Sequence, residues 1–111
     1  MCELFALNSH LPAAATFSLK GFAARGGRTA DHVDGWGVAF HAGERCEVVV
    51  EDSPAAHSEL ARHYGQHAIA ARNVIAHVRK ATQGVRAVQN CHPFRREWAG
   101  RSWVFAHNGD L

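Results

Sequence analysis

Two runs suited to β-strands face each other across a very short connection. Residues 37–41 and 45–51 are separated only by Ala42-Gly43-Glu44, and the second run is centred on Val48, Val49 and Val50. A link this short makes a hairpin, so the two strands run antiparallel. Other segments extend the pattern. Residues 3–8 read as a strand, with Leu4, Phe5, Ala6 and Leu7 continuously apolar as in a strand covered on both faces. From Pro12 to Ala24 the chain reads as a helix ended by Gly26-Gly27, and Asp34-Gly35-Trp36-Gly37 reads as a turn. Ser53-Pro54 suits the N-cap and first position of a second helix reaching about Tyr64. Residues 74–78 read as a buried strand, 83–98 as mostly loop, 103–107 as a last strand, and Asn108-Gly109 as the turn after it. Hairpins mixed with helices, rather than regular strand–helix alternation, predict an α+β fold with an antiparallel sheet carrying helices.

Composition narrows the function. A chain of 111 residues is one domain at most, and 47% hydrophobic residues argue against disorder. The net charge of +2 is too weak to argue for nucleic acid or an anionic membrane surface. No apolar run approaches the roughly 20 residues of a membrane helix. The first ten residues lack a basic segment and carry Glu3 within their only apolar stretch, unlike a signal peptide. Cys2, Cys46 and Cys91 are too sparse for a disulfide framework, which fits a reducing cytoplasm.

Several residues can carry chemistry. Initiator Met is normally removed before a small second residue, which would leave Cys2 with a free amine. That amine and the thiol have ordinary pKa values about one unit apart, so one residue supplies both nucleophile and base. The competing reading is a chance Cys. Arg79 ends a buried strand within His77-Val78-Arg79-Lys80-Ala81-Thr82. Its guanidinium fork suits the carboxylate of an amino acid, or one of the protein's own acids. In His107-Asn108-Gly109 an Asn side-chain N–H and a Gly backbone N–H can form an oxyanion hole, although Asn-Gly is also a common hairpin turn. The glycines of Asp34-Gly35-Trp36-Gly37 allow close approach to a ligand, and His92 in Asn90-Cys91-His92-Pro93-Phe94 can hydrogen-bond one. The plainer reading makes both segments turn and core.

Taken in order, Cys2, DGWG, HVRKAT, NCHPF and HNG resemble the class II, or N-terminal-nucleophile, glutamine amidotransferases. The phrases CELFALN and DGWGVAF look most like bacterial stand-alone members without a fused synthase domain. The resemblance implies a four-layer αββα sandwich of two mostly antiparallel sheets. It implies that Cys2 forms a γ-glutamyl thioester and that Asn108 and Gly109 form the oxyanion hole. Arg79 would bind the glutamine α-carboxylate, with Thr82 and His92 lining the pocket. It implies L-glutamine or another γ-glutamyl compound as substrate, an ammonia-accepting partner as one destination of the product, and no cofactor or metal. A non-catalytic glutamine-binding or assembly module is the alternative from another class. A His/Cys metal site is the third reading, disfavoured because Cys91 and His92 are adjacent and point apart on an extended chain.

In that family the domain continues past His-Asn-Gly and supplies an acidic residue for the substrate ammonium. Asp110 lies too near the oxyanion turn for that role. The chain is therefore expected to be the N-terminal part of the domain, with the sandwich incomplete. Alone, its 111 residues are expected to fold poorly or self-associate through unpaired sheet edges, with little glutaminase activity. Sedimentation and unfolding of that piece check this: a monodisperse, cooperatively unfolding, active sample contradicts it.

Overall fold

The computed structural model describes residues 2–14, 21–27, 33–67, 70–81 and 84–109. The hairpin forms as expected. Strands β2 (Trp36–Ala42) and β3 (Arg45–Glu51) pair antiparallel, with Ala42 opposite Arg45. Gly43, at φ +64°, supplies the left-handed residue that such a tight turn needs. Strands β1 (Glu3–Ala14) and β4 (Ala70–Val78) complete an antiparallel sheet in the order β1-β4-β2-β3.

One face of this sheet is the core. Trp36, Val38 and Phe40 of β2 share it with Val74, Ala76 and Val78 of β4, and Phe5 and Leu7 of β1 join them. This is the period of two expected of a strand. Helical segments cover that face through Phe22, Ala23, Ala55, Ala61 and Tyr64. They are a turn at residues 21–24, a 3-10 turn at Ala55–His57, and helix α1 (Glu59–Gln66). A separate hairpin of β5 (Phe94–Trp98) and β6 (Arg101–Phe105) lies against the other face. There His41 Nε2 donates to the Ser102 carbonyl at 3.2 Å, and Arg95 Nη1 donates to the Cys46 carbonyl at 3.2 Å. The chain is α+β and mostly strand.

Three expectations change. Pro12, Ala13 and Ala14 extend β1 rather than opening a helix; residues 15–20 lie outside the described residues, and 21–24 are helical as expected. Pairing with β4 is interrupted between Asn8 and Ala13. Pro12 falls in that interruption on an edge strand, where its missing N–H breaks no ladder bond. Second, α1 begins at Ser58, whose Oγ accepts the Ala61 N–H at 3.0 Å. Ser53 instead donates to Glu51 Oε2 at 3.0 Å, an oxygen that also accepts from Ser58 Oγ at 2.7 Å and Trp36 Nε1 at 3.3 Å. Third, residues 94–98 are strand, not loop. Their turn uses Ala99 and Gly100, both with positive φ.

The segment entering this second hairpin is seated on Gly35, just before β2, and on Gly37 within it. A Cβ on Gly37 would lie 2.1 Å from the His92 carbonyl oxygen and 2.7 Å from Val50 Cγ1. One on Gly35 would lie 2.4 Å from Cys91 Sγ. The close approach predicted for these glycines is therefore to the chain's own Cys91-His92 segment. Gly37→Ala is expected to lower unfolding free energy by about 3 kcal/mol, because backbone must move to admit the methyl. Gly43→Asn, at a turn with open space and a φ that Asn tolerates, is expected to stay within about 0.5 kcal/mol of the parent. Denaturant titration of both variants measures the difference, and equal midpoints would remove the packing argument.

Candidate active site

The β1–β4 register sets the site. Glu3 pairs with Val78, so Cys2 falls beside the residues that follow β4. Those residues are laced to the turn before β2. The Asp34 N–H donates to the Arg79 carbonyl at 2.9 Å, and the Arg79 N–H donates to the Gly35 carbonyl at 2.8 Å. Asp34 Oδ2 accepts the Ala81 N–H at 2.7 Å. The Lys80 carbonyl is thereby fixed, and Cys2 Sγ lies 3.7 Å from it.

The other end of the chain meets Cys2 from across the cleft. The Cys2 backbone nitrogen donates to Asn108 Oδ1 at 3.3 Å, a contact between residues 106 apart in sequence. With Oδ1 accepting, the amide of Asn108 turns its NH₂ elsewhere as a donor. Gly109 adopts φ +92°, a left-handed conformation that favours Gly.

Between these walls lies a cleft of about 270 Å³ lined by Cys2, His77, Arg79, Lys80, Asn90, His92, His107 and Gly109, among others. Arg79 is 6% exposed, and its Nη1 donates to the Val85 carbonyl at 3.0 Å. Asn90 Nδ2 donates to the same carbonyl at 2.9 Å. Of the residues singled out in the sequence, Cys2, Arg79, His92 and Gly109 line this one cleft, with Asn108 bonded at its edge. Thr82 lies outside the described residues. His77, Lys80, Asn90 and His107 also line the cleft but had been given no role. His77 and His107 open the HVRKAT and HNG motifs, so their positions carried the signal.

Three imidazoles form a column beneath the cleft. His77 stacks on His92 with centroids 4.3 Å apart, and His107 lies 4.5 Å from His92 on a tilted plane. His92 Nδ1 accepts the His107 backbone N–H at 3.1 Å. His107 Nδ1 donates to the Gly109 carbonyl at 2.8 Å. His77 is 1% exposed, and neither of its ring nitrogens has a hydrogen-bond partner among the described residues.

The other two thiols are built differently. Cys91 is buried with Sγ 3.3 Å from the Glu51 carbonyl and 3.4 Å from that of Ala87. Burial raises its pKa, and burial raises that of Cys46 as well. Among the described residues no group of three or more His, Cys, Asp or Glu is arranged to hold a metal ion. No helix among them is long and apolar enough to cross a membrane.

A Cys leading a strand, a buried Arg and an Asn-Gly turn thus meet around one cleft in an α+β scaffold. The whole chain, residues 1–111, matches the family described as "Glutamine amidotransferases class-II", and it belongs to that family. It is 40% identical over 111 residues to "Putative glutamine amidotransferase YafJ" of Escherichia coli strain K12, covering 44% of that protein. It is 45% identical over 111 residues to a Haemophilus influenzae protein described as "Putative glutamine amidotransferase", covering 38% of it. A crystal structure of a predicted glutamine amidotransferase from Pseudomonas aeruginosa PA01 matches with a TM-score of 0.59 and 33% identity. That match covers 99% of this chain and 44% of the other. The chain thus spans less than half the length of these relatives.

The histidine column makes a prediction about acid. Burial, then the neighbouring His92, lowers the His77 pKa to about 4. Burial, then His107 and Arg79, lowers that of His92 to about 4. Below about pH 6.5 the unfolded chain binds protons that the folded chain refuses. Stability from this source is thus level above about pH 6.5 and falls as pH drops toward 4, by up to about 1.4 kcal/mol per pH unit for each ring. His77→Phe, which keeps a ring in the stack, should make the acid limb shallower by about one such slope. Denaturant unfolding between pH 4.5 and 6.5 measures it, and parallel limbs in parent and variant would contradict it.

Proposed function

We propose that this chain carries the glutaminase site of a glutamine amidotransferase, which hydrolyses the side-chain amide of L-glutamine through a γ-glutamyl thioester on Cys2. The observation that carries the reading is the contact between the Cys2 nitrogen and Asn108 Oδ1 beside a cleft lined by Arg79. That nitrogen becomes an α-amine once Met1 is removed. An amine next to its own thiol can accept the thiol proton, because the two groups have similar ordinary pKa values.

The steps then follow from the groups available. The Cys2 amine takes the thiol proton, and the sulfur attacks the γ-carbonyl carbon of glutamine. The tetrahedral oxyanion is met by the Asn108 side-chain N–H and the Gly109 backbone N–H. The ammonium of Cys2 returns its proton to the leaving nitrogen, ammonia departs, and a thioester remains. Water, deprotonated by the same amine, attacks the thioester and releases glutamate. Arg79 binds the substrate α-carboxylate with its planar fork, with Thr82 beside it and His92 as part of the pocket wall. Because Arg79 reads the amino-acid end, other γ-glutamyl amides remain compatible with the same chemistry. The scaffold would be the αββα sandwich of N-terminal-nucleophile hydrolases, whose two sheets correspond here to β1–β4 and β5–β6. Three cysteines that are free in the fold suit a reducing cytoplasm.

Intact mass of the natural-length protein should show loss of Met1. A glutamine-mimicking electrophile should then add one equivalent at Cys2 and none at Cys46 or Cys91, whose thiols are raised by burial. Cys2→Ala should abolish both labelling and ammonia release. Retention of Met1, or labelling that survives Cys2→Ala, would end the proposal.

A further inference from the structure

The oxyanion turn does not hold itself. Asn108 and Gly109 are exposed, and the turn's anchorage comes from the residue before it. His107 is fixed twice: its backbone N–H reaches His92 Nδ1 at 3.1 Å, and its own Nδ1 reaches the Gly109 carbonyl at 2.8 Å. From there the chain leads directly to Asn108, whose Oδ1 meets the Cys2 nitrogen at 3.3 Å.

His92 is suited to anchor this relay. It is 7% exposed, and its ring is clamped by His77 at 4.3 Å on a nearly parallel plane and by Phe94 at 4.4 Å. Its own backbone is seated on Gly37. An Nδ1 that accepts an N–H must carry a lone pair, so the ring is the tautomer protonated at Nε2. A proton added at Nδ1 would delete the acceptor and set a cation beside Arg79 and two further imidazoles.

We propose that His92 is a positioning residue, whose unprotonated Nδ1 sets the His107 backbone and thereby holds Asn108 and Gly109 in register with Cys2. The inference rests on the glutaminase reading, and it assigns His92 an action through the oxyanion turn in place of direct substrate contact.

Two amide variants separate the roles. His92→Asn puts a carbonyl oxygen close to where Nδ1 stands, whereas His92→Gln carries its amide out to the Nε2 position. In the natural-length protein, His92→Asn should keep kcat for glutamine hydrolysis within about tenfold of the parent. His92→Gln should lower kcat by about 100-fold, as for loss of an oxyanion donor, with KM altered less than about threefold. Equal losses in both variants would reduce His92 to packing, and a rise in KM with kcat intact would make it a substrate ligand; either overturns the proposal. A second readout does not need turnover. Hydrogen exchange of the His107 amide should stay slow in the parent and His92→Asn and become fast in His92→Gln. If the parent neither turns over glutamine nor labels at Cys2, the glutaminase reading fails. The exchange pattern still decides whether His92 holds His107.

Discussion

Everything at the cleft depends on the seating of Cys91 and His92 against β2. The His92 carbonyl approaches Gly37 more closely than any side chain would permit, and Cys91 Sγ occupies the space beside Gly35. This brings the His92 ring onto His77 and directs the following hairpin across the second face of the sheet. The same turn, through Asp34 and Gly35, is laced to Arg79 and Ala81. One short glycine-rich segment therefore locates both walls of the cleft. The antiparallel register of β1 on β4 then delivers Cys2 between them.

Much of this was legible in the sequence, for identifiable reasons. The β2–β3 hairpin announced itself because Gly43 stands where a tight turn needs positive φ. The β5–β6 hairpin did not, because Ala99 occupies a positive-φ position that ordinarily signals itself with Asn, Asp or Gly. The helix start expected at Pro12 failed for a different reason. Helix propensity favoured Ala13 and Ala14, but pairing with Ala71 and Ala70 drew them into the sheet. Ser53-Pro54 looked like a cap, yet Ser58 has the hydroxyl that reaches a helix N–H, while Ser53 serves the Glu51 carboxylate. Cys2, Arg79, His92, Asn108 and Gly109, named from motif order, meet around one cleft. The motifs held His77, His92 and His107 but not their stacking, which joins three separate segments and leaves no local pattern.

Burial of the column explains its chemistry. Two imidazoles with pKa values of about 4 are neutral at pH 7, so they share a small space with the Arg79 guanidinium without repelling it. Desolvation disfavours the charged ring far more than it disfavours the neutral one. The lowered pKa values of His77 and His92 express that burial first, and the neighbouring imidazoles and Arg79 after it. His77 and His92 therefore add no charge beside Arg79, the group suited to a carboxylate.

That neutrality bears on which group serves as the base. A general base works best when its pKa lies near the operating pH, and rings held near 4 are too weakly basic for a thiol at neutral pH. His92 Nδ1 is in addition already occupied by the His107 N–H. In the proposed mechanism the proton must then go to a group outside His77 and His92, and the nitrogen of Cys2 lies closest along the chain. Asn108 fits this division of labour. Its single amide offers an acceptor, which the Cys2 nitrogen uses, and donors, which a developing oxyanion can use. A carboxylate in its place would present acceptors only. In that mechanism one side chain ties the position of the base to that of the oxyanion hole, so displacing the turn after β6 would misplace both together.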